Sequence, residues 1–104
     1  MARHRLCGVS DVFEGEMKSF DVGNRRILVV NSGGKWYALD DVCSHAEASL
    51  AMGELDAEGR TVCCPLHGGV FELETGEGIE YPAVDPIETF PVTIEDDEVF
   101  VDVD

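Results

Sequence analysis

Two cysteines and two histidines recur along the 104-residue chain as Cys43-Ser-His45 and Cys64-Pro-Leu-His67, with eighteen residues between His45 and Cys64. Thiolate and imidazole are the side chains that take borderline and soft metals. Here they arrive as two matched Cys/His pairs, each at the head of a segment of small or turn-forming residues. Three histidines and four cysteines placed at random could form one close pair, but two matched pairs are a metal-ligand pattern. A structural zinc would use the same four side chains in a tetrahedron. Its usual spacing groups cysteine with cysteine and histidine with histidine, whereas here each pair is mixed. Cys63 and Cys64 raise a further point. Neighbouring side chains on an extended strand face opposite ways, so the two cannot easily serve one site.

Mixed pairs suit a 2Fe–2S centre in which two cysteines hold one iron and two histidines hold the other, each loop giving one of each. "CSH" at 43–45 with "CPLHG" at 64–68 resembles the Rieske motif, and the chain is similar over nearly its whole length to the small Rieske ferredoxins of bacterial multicomponent oxygenases. The resemblance implies one Rieske-type 2Fe–2S cluster. It places Cys43 and Cys64 on the buried iron, His45 and His67 on the outer iron, and Pro82 in a third loop that covers the cluster. Cys64 stands in the motif position, which leaves Cys63 as a buried apolar filler; Cys7, near an N-terminal strand, reads the same way. Gly68 and Gly69 would let the backbone approach the cluster. Respiratory relatives carry an extra cysteine in each loop, joined as a disulfide. The matching places here are Ala48 and Leu66, so no loop disulfide is expected. Those relatives also have hydroxyl donors where Gly69 and Phe71 stand. Without donors to the cluster sulfurs the reduced state is less stabilised, so the resemblance implies a potential near the bottom of the roughly −150 to +300 mV span of Rieske centres.

The elements that must position these residues read as all-β. "RRILVVN" (25–31) and "KWYALD" (35–40) are β-rich runs separated by "SGG", and "TFPVTIE" (89–95) faces "EVFVDV" (98–103) across "DD". Glu58-Gly59 should turn the chain into "RTVCC" (60–64). Residues 43–53 read as a loop with a short helical turn, and 73–86 as a surface loop rich in glycine, proline and acid. Short strands at this spacing predict a small sandwich or barrel-like fold. The resemblance makes it a Rieske-type β-sandwich with a cluster-binding subdomain of two loops and a covering proline loop. The expected organisation is a single Rieske domain over 1–104, with the cluster-binding part about 41–84.

Twenty-two acidic residues against seven basic ones give a formal charge of −15. That balance excludes nucleic acid and anionic membranes as partners, and favours a basic protein surface or simple solubility. The first residues hold no apolar run of signal-peptide length and nothing in the chain approaches a membrane span, so a cytoplasmic location with reduced thiols is expected. Outside the four candidate ligands only His4 remains, in a terminus expected to be flexible, which leaves no histidine set for an oxygen-activating iron. The resemblance therefore implies a monomeric one-electron carrier and not an enzyme. It would take electrons from a flavin-dependent NAD(P)H reductase and pass them to a terminal Rieske non-haem iron oxygenase of aromatic hydrocarbon catabolism. A permanent Rieske subunit of a larger oxidoreductase, like the small subunit of nitrite reductase, and a zinc-stabilised binding module are the alternatives.

Overall fold

The computed structural model describes residues 2–42, 49–56, 58–65, 69–80 and 86–103. Among them eleven strands form three antiparallel sheets. The first sheet joins β1 (Ala2–Gly8), β11 (Glu98–Val103) and β10 (Val92–Glu95) in the order β1-β11-β10. The second joins β2 (Glu16–Val22), β3 (Arg25–Ser32), β4 (Lys35–Asp40) and the short β9 (Thr89–Phe90) in sequence order. The third is built from pieces of two or three residues: β5 (Glu54–Leu55), β6 (Thr61–Cys63), β7 (Val70–Glu72) and β8 (Gly78–Glu80).

Strand β3 shows how the layers stack. Its residues 27–30 are Ile-Leu-Val-Val, all fully buried. A strand buried on both faces is a continuous apolar run, because successive side chains point opposite ways. Ile27 and Val29 enter an outer core with Cys7, Phe90, Val99 and Val101. Leu28 and Val30 enter an inner core with Leu50, Val62, Phe71 and Leu73, and Cys64 belongs to this same cluster. Strand β4 divides likewise, Ala38 to the outer core and Leu39 to the inner one. The second sheet is therefore the middle wall. The first sheet covers one face, with β11 alternating half-buried and buried, and the small third sheet covers the other.

Turn chemistry holds the register. Gly33 and Gly34 both have positive φ between β3 and β4, as a tight primed hairpin requires. Asp96 and Asp97 take the same left-handed conformation between β10 and β11, so the hairpin expected across "DD" is present.

Three expectations need correction. The run 89–95 is not one strand: Thr89–Phe90 pairs with β4, and Val92–Glu95 pairs with β11 in another sheet. Pro91 lies at the changeover, since it has no N–H to donate to a ladder, while its carbonyl accepts from the Asp102 amide at 3.1 Å. Residues 73–86 are not simply a surface loop. Leu73 and Gly76 are buried and β8 pairs with β7; an ideal Cβ on Gly76 would stand 2.1 Å from the Ile87 carbonyl oxygen, so this segment is packed backbone against backbone. Finally, His4 is not in a loose end. It lies in β1 opposite Val101.

Candidate metal centre

Strand β6 ends at Cys63, and Cys64 follows it into the inner core. Val62 is fully buried and Cys64 is 2% exposed, and both belong to the inner cluster, whereas Thr61 and Cys63 on the alternate parity are half-buried. The alternation anticipated for adjacent cysteines is present. Cys63, however, is not a filled-in core residue: it is half-buried beside a shallow cavity of about 350 Å³ that it lines with Met52, Gly53, Glu54, Cys64 and Pro65, and its Sγ lies 3.7 Å from the Cys64 carbonyl oxygen. Cys7 is buried in the outer core as expected. Burial pushes its thiol above the ordinary range, with repulsion from Asp11 adding to it, so it stays protonated and unreactive.

Past Cys64 the chain turns back. The Cys64 amide donates to the Gly69 carbonyl at 2.7 Å, and Cys63 pairs with Val70 where β7 begins. The bond closes a short hairpin loop, and His67 falls by sequence within the segment it brackets. A buried sulfur at the mouth of a closed loop suits a thiolate ligand, which is best held where water cannot compete and where the backbone is already fixed. Phe71, fully buried one residue into β7, shares the inner core with Cys64. Cys43 and His45, His67, and also Ala48, Leu66, Gly68 and Pro82, lie outside the described residues. Of the four expected ligands, Cys64 alone is among those described.

The other Cys/His segment is held at its two ends. The Asp41 amide donates to the Arg26 carbonyl at 2.9 Å, which fixes the entry to β3. Val42 forms a bridge with Ser49, and the Leu50 amide donates to the Asp41 carbonyl at 2.7 Å. The Asp41 side chain is fully buried. Its Oδ2 accepts from the Ser49 hydroxyl at 2.5 Å and its Oδ1 from the Ala51 amide at 2.9 Å. Residues 50–52 then make one 3₁₀ turn, the helical turn anticipated for this segment. Gly53 follows, pressed against the cysteine strand: an ideal Cβ there would lie 1.9 Å from the Cys63 carbonyl oxygen. Neither the burial of Asp41 nor the close approach of Gly53 is revealed by spacing alone.

Further along, Asp56 organises the turn into β6. Its Oδ1 accepts from the amides of Arg60 at 2.6 Å and Thr61 at 3.2 Å. These backbone donors, Arg60 first, hold its carboxyl below the ordinary range. The surface beside this turn is acidic. A groove of about 650 Å³ between the second and third sheets carries Glu14, Glu54, Asp56 and Glu58 over Met17 and Leu55. All five arginines are paired with acids: Arg3 with Glu95, Arg5 with Glu98 at 2.6 Å, Arg25 with Glu88, Arg26 with Asp21 and Arg60 with Glu58. Among the described residues no helix is long and apolar enough to cross a membrane.

Comparison with known proteins bears on what this arrangement holds. The ferredoxin subunit of 3-phenylpropionate/cinnamic acid dioxygenase from Escherichia coli K12 is 43% identical over 102 residues, covering 98% of this chain and 94% of that protein. The ferredoxin of carbazole 1,9a-dioxygenase from Nocardioides aromaticivorans IC177 superposes with a TM-score of 0.92 at 35% identity, covering 97% of each chain. A complex of reduced oxygenase and oxidized ferredoxin in carbazole 1,9a-dioxygenase contains a chain that matches with a TM-score of 0.88 at 35% identity, covering 95% of this chain and 91% of that one. The model of the Rieske [2Fe-2S] domain matches residues 2–91. The cofactor is accordingly one Rieske-type 2Fe–2S cluster and not zinc, and the protein is an electron-transfer component, not the catalytic oxygenase. With its all-β sandwich, its buried Cys64 and its paired Cys/His half-motifs, this chain belongs to the Rieske [2Fe-2S] domain family.

Proposed function

We propose that the protein is a one-electron carrier that receives electrons from a flavin-dependent NAD(P)H reductase and delivers them to the terminal Rieske non-haem iron oxygenase of an aromatic-ring dioxygenase system. The observation that carries this reading is the buried Cys64 at the mouth of a closed loop, on a chain that is similar to a dioxygenase ferredoxin subunit over 98% of its length. The ligands are Cys43 and Cys64 on one iron and His45 and His67 on the other. When bound, the cluster takes up and gives back one electron. The chain's own residues hold the Cys64 sulfur in an apolar wall, close its loop through the Cys64–Gly69 bond, and tie the other loop at Asp41. Residues 1–104 act as one domain with the cluster-binding part about 41–84, working as a cytoplasmic monomer with no nucleic acid or membrane partner.

The potential lies at the low end for Rieske centres. Gly69 and Phe71 offer no side-chain hydroxyl to the cluster sulfurs, and the acidic surface disfavours adding an electron. The same surface steers a basic partner, and the groove beside β5 gathers four of its carboxylates, Glu14, Glu54, Asp56 and Glu58. Visible absorption and electron paramagnetic resonance before and after dithionite test the centre: a brown protein that bleaches and gives a rhombic signal of low average g is expected. His67→Cys should then lower the midpoint potential by adding negative charge to the centre. A variant with the parent spectrum and potential would remove His67 from the ligand set.

A further inference from the structure

The loop with the first half-motif runs from Asp41 to the 3₁₀ turn at Leu50–Met52, and its two ends meet at one side chain. Asp41 is the one fully buried acid among the residues whose burial is described. Both carboxylate oxygens are used, Oδ2 by the Ser49 hydroxyl at 2.5 Å and Oδ1 by the Ala51 amide at 2.9 Å. Its backbone is used as well, the amide toward Arg26 and the carbonyl toward Leu50. One residue thus joins the middle sheet to both the departing and the returning end of the loop. Two residues past Ala51, Gly53 rests backbone to backbone on Cys63. Asp41 and Gly53, on either side of this segment, are thus fixed to β3 and to the strand that leads into Cys64.

We propose that Asp41 is a positioning residue for the cluster. Its buried carboxylate ties together the two ends of the segment that carries Cys43 and His45, and places a negative group beside that segment where no cation is paired with it among the described residues. This rests on Cys43 and His45 being ligands. Burying a carboxylate is unfavourable unless its acceptors are satisfied. A neutral residue able to make the same contacts would serve a merely structural latch equally well, so charge is the property that separates the two roles.

The test uses the cluster-loaded full chain in four forms: parent, Asp41→Asn, Ser49→Ala and Cys43→Ala. The readouts are midpoint potential, the g values of the reduced state and the rate of iron loss to a chelator. Asp41→Asn removes the charge and one acceptor. It should raise the potential so that the reduced-to-oxidised ratio at fixed potential grows about tenfold, or about 59 mV for one electron, and it should speed iron loss. Ser49→Ala keeps the charge and loosens one bond, so it should speed iron loss several-fold and spread the g values while the potential stays near that of the parent. An Asp41→Asn protein with the parent potential and g values, merely less stable to heat, overturns the proposal. If Asp41→Asn does not fold, a Ser49→Ala protein with parental g values and iron retention overturns it. Cys43→Ala should lose the Rieske signal. If it keeps the signal, the ligand assignment fails and the latch with it; loss of the signal beside unchanged Asp41 and Ser49 variants sinks the latch alone.

Discussion

The outer and inner cores of this protein are built on opposite faces of the same strand, yet they are different kinds of object. The outer core lies between strands of six to eight residues, β1, β3, β4 and β11, and is lined by valine, isoleucine and phenylalanine. The inner core is covered by strands of two or three residues, too short to be stable without further packing. It contains Cys64, and its rim carries Asp41 and Gly53. The outer half is framed by long strands, whereas the inner half sets short strands against the middle sheet and is the half from which the ligand-bearing segments leave. The candidate redox site belongs to the half with short strands, against a wall of long ones.

The largest expected effect sharpens that division. Cys64→Ala should abolish the cluster and its colour, and the amides of β5 to β8 should lose most of their hydrogen-exchange protection while those of β3 and β11 keep theirs. Equal loss in both halves would mean that the cores are not separable.

Next come two substitutions one residue apart on β3. Leu28→Ala and Ile27→Ala each delete a fully buried side chain and should cost about 2–5 kcal/mol in chemical denaturation. Leu28→Ala should also speed iron loss, since Leu28 packs in the cluster containing Cys64; Ile27→Ala should leave iron retention unchanged. The comparison breaks if both variants lose iron alike.

A smaller effect is expected at the surface of the inner half. Electron transfer from a basic reductase should slow severalfold between about 50 and 200 mM salt as carboxylates such as Glu54 and Glu58 are screened. A rate independent of salt would leave the charge with solubility as its only use.

The smallest concerns pH. Asp56 has its carboxyl held below the ordinary range by the Arg60 and Thr61 amides. A depressed folded value means that this group stabilises the turn above its ordinary range, and that the contribution is lost as pH falls through the folded value. The Thr61 amide should lose protection in acid, and Asp56→Asn should remove that pH dependence. Because Asp56 is exposed, global stability should barely change.

Much of this architecture is legible in the residues alone. The β3–β4 hairpin shows itself in a double glycine between apolar runs, and the ligand candidates in the scarcity and pairing of their side chains. Cys64 can be told from Cys63 only through the resemblance to a family motif, and its burial in the apolar wall agrees with that choice. What escapes reading has a common physical cause. Asp41 is one of twenty-two acids and sits beside Asp40; nothing local shows that Asp41 is buried while the Asp40 side chain accepts from Val42 at 3.1 Å near the surface. Strand β8 hides in a segment whose glycines and acids suggest turns, because Leu73 and Ile87 supply the apolar anchors from either side. Pro91 divides a run whose composition is continuous.

Strand β3 leaves one more consequence. Residues 27 and 29 serve one core and residues 28 and 30 the other, so inserting or deleting a single residue before Leu28 would exchange the side chains of both cores at once. Length, more than composition, is the property that this strand cannot vary: homologues should trade valine, isoleucine and leucine freely along it, and admit gained or lost residues only at Gly23 or at the Gly33-Gly34 turn.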